Sequence, residues 1–200
     1  MNVRIAQLLP FVAGNWFNGA LEMTQYTVKL WMITHSTDPE EQTIAVRRMR
    51  HFIYEHIHST IFIDAGETDK SVELARAGLN ITTLPAEPVE QLIGIMLFHK
   101  INAIMEGRIE VMEVEVSSGD GVIYLHDENE TSEGIEQPDW WSTPDLIHCD
   151  PVLLDSDKVL SIAQSASWRN LDLAWPDVDA HEDSGNIVVF TAFKDSNDSK

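Results

Sequence analysis

The chain reads as an α+β fold: an antiparallel sheet packed on a long buried helix, with a helix-rich N-terminal region and an acidic C-terminal half rich in strands and loops. Three observations carry this reading. The stretch PVEQLIGIMLFHKINAIMEG is apolar nearly all round its helical circumference, so a helix over about residues 88–106 belongs inside a core rather than on its surface. Beyond Gly107 the hydrophobic period changes from helical to two. Helices cluster early and strands late, unlike the βαβα alternation of a doubly wound sheet, although the helix–strand–helix order from Pro39 to Ala77 keeps that fold as the runner-up.

Taken in order, Asn2 to Thr34 is apolar with aromatic interruptions, and within Met23–Thr34 the residues Tyr26, Val28, Leu30 and Met32 alternate as a strand does. Asp38 before Pro39, with Glu41 three residues past the cap, marks the start of a helix expected to run to Ile57. Its predicted core stripe is Val46, Met49, Ile53 and Ile57, with Arg47 and Arg48 turned outward and Arg50 at the border. A short strand, Ile61 to Ile63, follows. A small helix over Asp69–Ala77 ends where Gly78 can take the left-handed cap. After the long helix, Ile109–Val116 and Val122–His126 read as two strands joined by SSGDG. The acidic stretch from Asp127 to Asp145 is then a long loop, and Ile187–Phe193 a last strand. A single domain over residues 1–194 with a flexible tail at 195–200 is expected.

Two hundred residues, 44% of them hydrophobic, suffice for a core. One cysteine, Cys149, excludes an intramolecular disulfide. No apolar run approaches the ~20 residues of a membrane span, and Gln7, Pro10, Gly14 and Asn15 break the N-terminal apolar patch of a would-be signal peptide. A soluble, cytoplasmic protein is expected.

The net charge of −20 is unevenly placed. Residues 1–109 hold 9 Lys/Arg against 12 Asp/Glu, net −3, whereas residues 110–200 hold 4 against 21, net −17. Such a field repels nucleic acid and anionic membranes and favours a protein partner with a basic surface. The RRMR cluster, Arg47–Arg50, is the one basic patch, and its expected role is internal: neutralising Glu40, Glu41 and Glu55 or docking the acidic half.

Candidate chemistry is sparse. His51, Glu55 and His58 share one face of the first helix at a spacing that suits a metal, and with Asp64 they define the alternative of a metal-dependent hydrolase. That face lies opposite the core stripe beside two arginines, which favours solvated side-chain pairs over a dication. Cys149 sits between His148 and Asp150, but chain neighbours on an extended backbone diverge, and surrounding acids raise a thiol pKa rather than activate it. DENETSEGIE clusters oxygens without the spacing of an EF-hand loop. No P-loop, GxGxxG, GxSxG or CxxC motif occurs, so no cofactor is implied.

Four of the six tryptophans, Trp140, Trp141, Trp168 and Trp175, lie in the acidic half, in DWWS and SWRNLDLAWPDVD. Aromatic rings ringed by charge make recognition surfaces, and the same rings can instead staple loops to a core. On an extended stretch Trp140 and Trp141 point to opposite sides, so one is expected inside and one available, between the stiffening residues Pro138 and Pro144. The partner-binding set expected from sequence is therefore Asp139, Trp140, Trp141, Asp145, Trp168 and Trp175. In style the chain resembles the small acidic regulatory and inhibitor proteins encoded by viruses and mobile elements, some of which imitate the charge of DNA. The reading is an inhibitor or adaptor acting by protein–protein contact, not an enzyme; a structural component of a larger assembly, homo-oligomeric or mixed, is the remaining class.

Overall fold

The computed structural model describes residues 4–127, 135, 137–146 and 167–176. Six strands form one sheet in the order β4-β3-β1-β2-β5-β6. Strands β1 (Arg4–Phe17) and β2 (Ala20–Thr34) make a long hairpin, closed at Asn18 and Gly19, both at positive φ. A two-residue turn with both central residues left-handed matches the twist of the strands it joins, and Asn-Gly adopts that turn with little strain. Strands β5 (Ile109–Ser118) and β6 (Ile123–Asp127) extend the hairpin antiparallel. Met112 is the extra residue of a bulge where β5 passes Trp31 and Met32 of β2.

The sheet is mixed, which corrects the expectation of an antiparallel one. Strand β3 (Ile61–Asp64) runs parallel to β1, and β4 (Ile81–Leu84) runs parallel to β3. The cause is the intervening α2 (Thr68–Arg76), a crossover helix that returns the chain in the same direction. Ile61, Ile63 and Ile81 form a small cluster with Leu74 of α2, whereas Phe62 belongs to the main core, so this end of the sheet is covered on both faces. Parallel strands need such cover, and β4 is buried along its whole length.

Helix α1 (Pro39–His51) begins as its sequence indicates: the Asp38 side chain accepts from Glu40 N at 2.8 Å, and Pro39 opens the first turn. It buries Ile44, Ala45, Arg48 and Met49, so Arg48, expected outside, lies inside. The expected stripe fails at Arg48 because the chain is not one regular helix. From Phe52 to Ile57 the backbone widens into a π-helical turn, and this changes the phase between Met49 and the buried pair Ile53 and Ile57. Helix α3 (Glu90–Met105) is the central element, with ten of its residues buried, Leu92, Met96 and Ile104 among them. It packs on β5 and β6 so closely that a Cβ on Gly94 would stand 2.7 Å from the Tyr124 ring. Glu106 at φ 47 and Gly107 at φ 75 end it in left-handed conformation. A 3-10 turn, Asp139–Ser142, packs against α3. The strand expected at 187–193, the loop residues 128–134, the tail and Cys149 lie outside the described residues.

Candidate functional site

The two described pieces of the acidic half, 137–146 and 167–176, are held to the helices by two buried cations. Lys100 is 0% exposed on the largely apolar α3, between His99 and Ile101. Its ammonium donates to three backbone carbonyls of the first piece: Trp140 O at 3.0 Å, Thr143 O at 2.9 Å and Asp145 O at 2.6 Å. A carbonyl cage solvates the charge by dipoles instead of water, and burial still pushes the Lys100 amine down to about 8, partly opposed by the Asp145 carboxylate.

Arg48 does the same for the second piece. Its Nε donates to Leu173 O at 2.6 Å, and one terminal nitrogen donates to Ile104 O at 3.1 Å and to Glu106 Oε2 at 2.6 Å. The guanidinium lies 3.9 Å from the Trp175 ring centre and 4.8 Å from that of Trp168. Burial lowers its pKa, while the Glu106 partner raises it. Trp175 Nε1 donates to the same Glu106 oxygen at 2.5 Å, and Arg108 covers the other ring contact at 4.2 Å. The two pieces also meet each other, since Trp168 Nε1 donates to Pro144 O at 2.7 Å. Together they form one strap across α1 and α3.

This strap places the sequence-predicted residues. Trp141 and Trp175 are buried, so their rings pack in the core rather than facing solvent. Trp140 and Trp168 are half-buried at the rim, and Asp139, Asp145 and Asp172 are exposed around them. The divergent directions of Trp140 and Trp141 arise from the 3-10 turn, which sets the two rings at 88°, not from an extended chain. Lys100, Glu106 and the inward course of Arg48 are the residues sequence reasoning missed. A lone lysine in a helix apolar nearly all round was the available signal, because a buried cation requires a partner.

The metal hypothesis finds no geometry. His51 is half-buried against His56 and Trp168, with ring centres 5.5 and 6.3 Å away. Glu55 and His58 are exposed, and Asp64 at the end of β3 accepts from Gly66 N. Among the described residues no three His, Cys, Asp or Glu side chains are grouped to hold a metal ion. No described helix is long and apolar enough to cross a membrane.

A second polar cluster lies at the far end of the sheet. Asn15 Nδ2 donates to Tyr26 OH at 2.5 Å, Ser118 stands opposite Tyr26 across β2 and β5, and the Asn15 Oδ1 and Ser118 Oγ atoms are buried without a hydrogen-bond partner. Burial raises the Tyr26 pKa.

No protein-family model matches the chain, and no curated protein matches it. Among solved structures it is similar to an uncharacterized protein of Wolinella succinogenes, at 15% identity and a TM-score of 0.49, over 64% of this chain and 99% of that one. It is also similar to 6-pyruvoyltetrahydropterin synthase of Plasmodium vivax, at 10% identity and a TM-score of 0.40, again over 64% of this chain and 99% of the other. Likeness at this level assigns no activity.

Proposed function

We propose that the protein acts by protein–protein contact, as an inhibitor or adaptor that presents an acidic, tryptophan-bearing surface to a partner with a basic face. The observation that carries this reading is the inward course of the cations. Arg48 and Lys100 are held by the carbonyls, the Glu106 carboxylate and the rings beneath the strap, so the charge they offer its outer side is limited to the Coulombic contact of Lys100 with Asp145. Asp139, Asp145 and Asp172 face outward beside the half-buried Trp140 and Trp168. A rigid aromatic rim supplies contact area at little entropic cost, and the surrounding carboxylates steer a cationic partner toward it. The same charge disfavours direct contact with nucleic acid or anionic membranes.

A diffuse negative field would also attract cations, so the test compares matched neutralisations. Binding to core histones is titrated at low and high salt for the pair Asp139→Asn with Asp145→Asn and for the pair Glu22→Gln with Glu73→Gln on other surfaces. The reading expects the first pair to lose affinity severalfold more than the second. Equal losses would mean that the field, not the strap, attracts the probe.

A further inference from the structure

Each half of the strap rests on its helix through the same local arrangement, a buried cation beside a histidine that carries a tryptophan. In 137–146 the cation is Lys100, and its chain neighbour His99 stacks on Trp141 at 14° and 6.5 Å. In 167–176 the cation is Arg48, and His51, three residues on, meets the edge of Trp168 at 6.3 Å. Each of these histidines also lies near a second one: His126 is 6.3 Å from His99, and His56 is 5.5 Å from His51. The His99 Nε2 atom is buried and accepts no hydrogen bond, so a proton arriving there would find no partner.

We infer that the strap is an acid-sensitive latch: protonation of His99 and His51 places new positive charge in desolvated positions beneath Trp141 and Trp168, each beside a second histidine, and detaches residues 137–146 and 167–176 while sheet and helices persist. This goes beyond the partner-binding reading and holds whether or not the strap is the surface a partner recognises. The groups facing each histidine set the sign. His99 faces His126 of β6, whose Nδ1 lies 3.2 Å from Tyr124 OH, and the Phe98 and Trp141 rings, with Lys100 next to it in the chain; the strap's carboxylates near it, Asp139 and Asp145, are exposed. His51 faces Arg48 and Arg47 on α1, His56 on the π turn, and Trp168 of a segment whose ionisable residues, Arg169 and Asp172, are exposed. Glu55 alone among these favours the charged form of His51.

Burial holds His51 and His99 below the usual histidine value, assisted at His99 by His126, and it holds His56 down to about 4. A base whose folded pKa is depressed contributes stability that is present above its unfolded value and lost as pH falls toward the folded value. For His51 and His99 the window therefore opens below the ordinary 6.5 and lies on its acid side.

The test follows the tryptophan emission maximum and far-ultraviolet circular dichroism across this window, for the native chain and for the double variant His51→Gln with His99→Gln. The maximum is read rather than the intensity, because a protonated histidine quenches indole directly. The inference expects the native emission to move to longer wavelength at a higher pH than the loss of dichroism, and expects the double variant to lose that early step. Coincident transitions in the native chain, or an early step that survives in the variant, would overturn it. If the variant does not fold, amide exchange of the native chain decides: faster exchange in mild acid confined to 137–146 and 167–176, after correction for intrinsic rates, supports the latch, and uniform or unchanged exchange overturns it.

Discussion

Replacing Lys100 with methionine keeps the length of the side chain and removes its charge. The ammonium makes three hydrogen bonds to carbonyls of the strap at 2.6–3.0 Å. Bonds from a charged donor contribute about 1.5–3 kcal/mol each, the desolvation of the cation opposes them, and the abandoned carbonyls at the rim regain some water, which leaves an expected loss of roughly 2–4 kcal/mol at neutral pH. The pH dependence is the sharper part. The folded amine titrates at about 8 instead of its ordinary 10.5, so between these values the folded state binds fewer protons than the unfolded one, and the native chain gains stability as pH rises. At 1.36 kcal/mol per unit the gain attributable to Lys100 reaches roughly 3 kcal/mol by the top of the range. Other groups titrate alike in both proteins, so the gap between native and Lys100→Met widens from pH ~7 to ~10. Urea unfolding at several values in this range measures it. A gap that stays constant or narrows would refute the claim that desolvation of the buried amine outweighs the carbonyls that hold it.

Further outcomes follow from the packing. Trp141→Ala is expected to lower stability by about 3–5 kcal/mol, since the ring is fully buried, whereas Trp140→Ala, half-exposed at the rim, costs about 1 kcal/mol and weakens partner binding by about 2 kcal/mol; thermal melts and titrations of the two variants separate the effects. Leu92→Ala in α3 costs roughly 2–5 kcal/mol by the same measurement. Gly94→Ala, although helix-favouring, is expected to destabilise by about 1–3 kcal/mol, because its new methyl group meets the Tyr124 ring.

Much of the frame was legible because it rests on local chemistry. The Asp38–Pro39 start of α1, the alternation of β2, the all-round apolar α3 and the switch to period two after Gly107 each express a preference of neighbouring residues for one backbone geometry. Strand β1 and strand β4 were not read. The first is interrupted by Pro10 and Gly14 on a strand with one open face, and the second, ITTL, is only four residues long and is defined by its parallel partner. Parallel pairing itself is invisible in a short apolar run. The site was legible in composition, as acids interleaved with tryptophans, but not in geometry. Arg48 and Lys100 reach Leu173 and Asp145 across 125 and 45 positions, and no local pattern encodes a contact of that separation.

The central claim, that the strap is the surface a basic partner reads, is tested most directly by an amide-exchange footprint of the chain with and without bound core histones. The account predicts slowed exchange concentrated in 137–146 and 167–176. Protection lying instead on β1 and β2, along the open sheet face that carries Leu8, Lys29 and Trp31, with the strap unchanged, would contradict it.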